Sequence, residues 1–91
     1  MIGETLRRLR GIYGYSARDM SSLLGISSSY LSEIERGKKE PSLEIVDHYA
    51  EIFGMRPSSL LRFSEEYDRA EFHEGGQEFI SKLMTKLIDS F

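Results

Sequence analysis

Residues 16–41 read SARDMSSLLGISSSYLSEIERGKKEP, and this stretch predicts two short helices joined by a tight turn. Ser16 is placed as an N-cap, with Asp19 at the third helical position of a capping box. From Ala17 to Leu24, the residues Met20, Leu23 and Leu24 recur at helical spacing, which predicts one inward face. Gly25 suits the end of that helix, because the residue after a C-terminus often takes positive φ, which glycine adopts cheaply. Ile26 is an apolar plug inside the turn. Ser27 caps the second helix, Ser28 to Arg36, with Leu31 and Ile34 inward and Gly37 as its stop. Two helices of this length around a glycine-containing turn match the helix-turn-helix, whose second helix enters the DNA major groove.

The residues on either side fit an all-α domain. Ile2 to Tyr13 forms a first helix with Ile2, Leu6, Leu9 and Tyr13 on one stripe and Arg7, Arg8 and Arg10 off it. Gly14 is its expected stop, and Tyr15 can staple back onto Met20. After the polar loop Lys38–Pro41, Ser42 caps a fourth helix whose buried stripe is Ile45, Val46, Tyr49, Ala50 and Phe53. Gly54 ends it. Pro57 opens a short fifth helix, with Leu60, Leu61 and Phe63 closing a five-helix core. The domain is expected over residues 1–63, followed by an acidic connector over 64–76, whose run Glu65 to Glu74 also reads as a short helix, ending in Gly75-Gly76. A C-terminal amphipathic helix is expected over 77–91. Its apolar side carries Phe79, Ile80, Leu83, Met84, Leu87, Ile88 and Phe91, which is more apolar surface than a small core needs from a tail. Ile80, Met84, Leu87 and Phe91 step at the spacing of a helix–helix seam, so this segment is the expected dimerisation element. Folding back onto Phe63 and Tyr67 is the other arrangement the pattern allows.

Three runs carry a closer resemblance: LLGIS (Leu23 to Ser27), SYLSEIERGKKEPSLE (Ser29 to Glu44) and IFGMRPSSLL (Ile52 to Leu61). Together they resemble the lambda-repressor-like, Cro-type helix-turn-helix family, also called the XRE family. The resemblance stays in register over roughly two-thirds of the chain. It implies the five-helix fold and a function in DNA binding. It also implies base contacts at Ser28, Ser29 and Glu33, with Ser32 alongside. An ion pair between Arg10 and Glu35, tying the first helix to the reading helix, is implied as well.

The residues themselves support part of that assignment. With Leu31 and Ile34 inward, the outward set on the second helix is Ser28, Ser29, Ser32 and Glu33. Serines make short, weakly discriminating hydrogen bonds, and Glu33 can accept from cytosine N4. The same serines also suit a solvated cap cluster, with Glu33 a surface charge. Arg18, Lys38 and Lys39 are the expected phosphate anchors, with Arg36 and Tyr30 as further backbone contacts. The resemblance also implies a Gln that binds the DNA backbone and a base at the position of Ala17, which cannot make that contact. Ser21 replaces the more common Ala and stays small enough for close helix contact.

Net charge is −3, but it is unevenly spread. Residues 1–40 hold seven Lys/Arg against five Asp/Glu, and residues 41–91 hold five against ten. Local field steers a phosphate backbone, so the basic half is compatible with double-stranded DNA as partner. Absence of cysteine excludes disulfides and thiolate metal sites. His48 and His73 are isolated, the acidic run lacks calcium-loop spacing, and no glycine-rich phosphate loop is present. No enzyme, cofactor or metal is therefore expected. With no membrane-length apolar run and no signal peptide, the expected location is cytoplasmic. Two functions fit: a repressor acting as a homodimer on a palindromic operator, or an antitoxin whose C-terminal part binds a toxin while its helix-turn-helix autoregulates.

Overall fold

Three helices begin on a serine whose hydroxyl accepts the backbone N–H three residues ahead. Ser16 accepts from Asp19 at 3.0 Å, Ser27 from Tyr30 at 3.0 Å and Ser42 from Ile45 at 3.2 Å. Each bond satisfies one of the amides a helix start leaves without a partner. The computed structural model describes the backbone of residues 2–73 and the side chains of residues 2–69. It contains α1 (Ile2–Ile12), α2 (Ala17–Leu24), α3 (Ser28–Glu35), α4 (Leu43–Phe53) and α5 (Pro57–His73). Among the described residues there is no strand.

The helix ends follow one scheme. Gly25, at φ 71°, donates to Ser22 while Ile26 donates to Ser21, which closes α2 in a Schellman motif. Gly54, at φ 67°, repeats the pattern on α4 with Met55 donating to Ala50 at 2.9 Å. The turns between α1, α2 and α3 leave few residues between these helices, which pack around one centre.

That centre is formed by Leu6 and Leu9 of α1, Met20 of α2, Leu31 and Ile34 of α3, Tyr49 of α4 and Leu60 of α5, all fully buried. Phe53 stacks on Tyr13 at 4.7 Å between ring centroids, adding an aromatic contact between α4 and the end of α1. Ile26 and Tyr15 lie half-buried against the same cluster. Burial of side chains this large is the main source of stability in a domain this small.

Two leucines depart from the expected core. Leu23 is 56% exposed and Leu61 is 44% exposed. At roughly 100° per residue, the buried face of α2 centres on Met20, Ser21 and Leu24, which turns Leu23 outward. In α5 the buried set Leu60, Phe63, Ser64 and Tyr67 leaves Leu61 on the flank. Small Ser21 faces inward in Leu23's stead and brings α2 close to α3, its hydroxyl 3.3 Å from that of Ser28.

The fifth helix is not short. It runs 17 residues, through position 63 and into the acidic run, to His73. Tyr67 is the reason: it is fully buried, and its hydroxyl donates to Glu4 Oε1 of α1 at 2.9 Å. Burial first, then that hydrogen bond, raises the Tyr67 pKa above its ordinary value. The charges of residues 65–69 therefore decorate one side of a core helix. The expected C-terminal helix, with Phe79, Ile80, Leu83, Met84, Leu87, Ile88 and Phe91, lies outside the described residues, as does the Gly75-Gly76 break.

Candidate nucleic-acid interface

Helix α3 has two faces with opposite chemistry. Its inner face buries Leu31, Ile34 and Glu35. Its outer face carries Ser28 and Ser29, both exposed, and Ser32 and Glu33, both half-exposed. These four residues line one open groove together with Arg36 and Lys38. The turn from α2 places them there: the Schellman closure at Gly25 and the Ser27 cap fix where α3 starts and which way it faces. Serine hydroxyls at a helix start, flanked by two cations, can hydrogen-bond base edges and phosphates alike.

Lys39 is not isolated. Its Nζ lies 3.5 Å from Glu33 Oε2 and 5.7 Å from the centre of the Tyr30 ring. The lysine reaches back over the end of α3 because Lys38 and Lys39 both donate their amides to the Glu33 carbonyl, at 2.8 and 3.2 Å. A candidate base reader and a candidate phosphate anchor are thereby brought into one cluster with the Tyr30 ring. Arg18 lies exposed on α2, outside the groove, and Ala17 beside it is exposed as well.

On the inner side, α1 grips α3. Arg10 Nε lies 3.0 Å from Glu35 Oε2 and 3.2 Å from Oε1, and Arg10 Nη2 lies 3.0 Å from Oε1. Nη1 of the same guanidinium donates to the Tyr15 carbonyl at 2.9 Å. Tyr49 of α4 completes the set by donating its hydroxyl to Glu35 Oε2 at 3.0 Å. Desolvation, then the neighbouring Glu35 charge, pushes the Tyr49 phenol far up, so it stays a proton donor. Sequence reading placed Tyr49 only in the apolar stripe. The available signal was that a buried tyrosine needs a partner for its hydroxyl.

The family model for the helix-turn-helix domain matches residues 3–64. The chain belongs to the XRE-type helix-turn-helix family of DNA-binding proteins. The HTH-type transcriptional regulator DdrOP3 of Deinococcus deserti is 39% identical over 64 residues, which are 70% of this chain and 50% of that protein. The HTH-type transcriptional regulator SinR of Bacillus subtilis is 31% identical over 71 residues, 75% of this chain and 64% of that one. A crystal structure of SinR, the master regulator for biofilm formation, in complex with DNA superposes with a TM-score of 0.61 at 31% identity. The match covers 67% of this chain and 98% of that one. The chain spans between 22% and 50% of the length of several curated relatives that it matches. These relatives are transcriptional regulators of the helix-turn-helix type, and the antitoxin reading finds no support among them. Among the described residues, no cluster of His, Cys, Asp or Glu could hold a metal ion, and no helix is long and apolar enough to cross a membrane.

Proposed function

We propose that this protein is a cytoplasmic transcriptional repressor that binds a palindromic DNA operator as a homodimer. The observation that carries the reading is the outer face of α3, where Ser28, Ser29, Ser32 and Glu33 share one open groove with Arg36 and Lys38. In this reading the first four meet base edges, while Arg18, Tyr30, Arg36, Lys38 and Lys39 hold the backbone. The likeness to a DNA-bound SinR chain supports the orientation, since that chain is covered almost completely.

A reading helix rich in serine supplies little affinity alone. Two copies on half-sites about one helical turn apart multiply the contacts, and a two-fold protein matches a palindrome. The seven large apolar residues between Phe79 and Phe91 supply the chemistry for such a dimer. Sedimentation and gel shift on a selected operator test the reading together. The expected result is a dimer at roughly tens of micromolar that binds cooperatively and more weakly as salt rises. Changing both Leu83→Asp and Leu87→Asp should give a folded monomer without cooperative binding. A monomeric parent removes the dimer, and equal binding to any duplex removes sequence-specific regulation.

A further inference from the structure

We propose that Gly3 is a positioning residue for DNA recognition. Its missing side chain lets α1 rest directly on the backbone at the end of α3, and this seat sets the angle at which α3 meets the groove. The inference rests on the DNA-reading role given to α3 above. Gly3 is the second residue of α1 and is buried. A Cβ at this position would overlap the carbonyl oxygen of Ile34, and it would lie 3.1 Å from the Ile34 carbonyl carbon and 3.4 Å from that of Glu35. The obstacle is backbone, so no rotamer change relieves it. Restoring ordinary contact requires the two helices to part by roughly 1.5 Å.

The Ile34 carbonyl has little freedom to yield. It accepts the Gly37 amide at 3.0 Å in the turn that closes α3. Further along α1, Arg10 holds Glu35 by the ion pair already described. Helix α1 therefore holds the end of α3 at two places, a backbone seat and a charged clasp. Forcing the seat apart while the clasp holds tilts α3 instead of translating it. Ser28 lies six residues from Ile34, so roughly 9 Å of helix transmits that tilt to the base-reading end. Base contacts tolerate only about 0.5 Å of misplacement, whereas a lysine on a flexible stem follows its phosphate. A tilt should therefore cost selectivity and spare general DNA affinity. Gly11 supplies the internal control: it sits in the same helix, and a Cβ there would meet nothing within 4 Å.

The test compares the full chain with Gly3→Ala, Gly11→Ala and the double variant. Each is measured for thermal unfolding and for binding to a parent-selected operator and to a scrambled duplex over one matched series of salt concentrations. Gly3→Ala should stay helical and lose about tenfold or more in the ratio of operator to scrambled affinity, as for one mismatched base pair. Its scrambled-duplex affinity and salt slope should not change. Gly11→Ala should keep the ratio and raise the melting temperature, because alanine favours the helix. The double variant should recover stability without recovering selectivity. A preserved ratio in Gly3→Ala, or a ratio that returns with stability in the double variant, overturns the proposal. So does failure of both Gly3 variants to fold, which would make Gly3 a folding residue alone. If the parent selects no operator, the DNA-reading role itself has failed, and that outcome is read from the parent before any variant is compared.

Discussion

Glu33 and Glu35 lie two residues apart on α3, each beside a cation, yet burial gives the two pairs different roles. The side chains of Glu35 and Arg10 are 4% and 16% exposed, and those of Glu33 and Lys39 are 36% and 57% exposed. The inner pair is held by several hydrogen bonds: the guanidinium meets both carboxylate oxygens and the Tyr15 carbonyl, and Tyr49 donates to the carboxylate from α4. A pair of this kind adds little net stability as such, but it cannot lose one member without stranding a buried charge. The outer pair is screened by water and salt, so either member can exchange its partner for another, which under the proposed function is DNA. The same chemistry thus anchors the helix on one side and stays available on the other.

The largest expected effect comes from breaking the inner pair. Arg10→Ala or Glu35→Ala alone should cost about 3–5 kcal/mol of folding stability. Removing both should cost clearly less than the two single changes summed, because no uncompensated charge then remains. Urea unfolding of the four proteins in the cycle measures this. Strictly additive losses would mean that the two groups act independently, and the contrast between inner and outer pairs would collapse.

A smaller effect is expected from Tyr49→Phe, which removes one donor from the carboxylate and leaves the guanidinium in place. Hydrogen bonds to charged groups contribute about 1.5–3 kcal/mol, so the loss should fall in that range. Phe keeps the ring that packs against Phe53 at 5.7 Å between centroids, so packing changes little. Operator selectivity should survive wherever the variant is folded. A stability change near zero would place the clasp in Arg10 alone.

These features differ in how far the sequence reveals them. The caps at Ser16, Ser27 and Ser42 and the glycines at 25 and 54 are legible because local backbone geometry demands those residue types. The core is legible at Leu6, Leu31, Ile34 and Tyr49, where helical spacing and large side chains agree. It misleads at Leu23 and Leu61, because spacing alone does not fix the centre of a buried face when a small residue such as Ser21 can turn inward. The full length of α5 is hidden by its charges: Glu65, Glu66 and Asp68 suggest a linker, while the one residue that decides otherwise, Tyr67, is flanked by them. At the site, the outer face of α3 follows from which residues point inward. The Lys39–Glu33–Tyr30 cluster does not, because it depends on how the chain turns after Gly37. Nor does the Gly3 seat, since a close approach between helices distant in sequence leaves no local pattern.

The smallest effect on stability is expected at the outer pair. Lys39→Ala should change folding free energy by less than about 1 kcal/mol, as exposed pairs do. Its effect on DNA should be uniform across sequences, with the salt slope reduced by about one unit, because a lysine on phosphate carries no sequence information. Glu33→Gln separates the two roles of the cluster. It removes a negative charge that competes with phosphate for Lys39, so affinity for every duplex should rise at low salt. It also replaces an acceptor-only group with one that donates as well. The preferred base should therefore shift at one position of each half-site, with a discrimination of about 1–3 kcal/mol. Selection from a random library reads both effects in one experiment. If Glu33→Gln raises affinity and selects the same sequence as the parent, Glu33 serves only to hold Lys39, and the base reading on α3 falls to the serines alone.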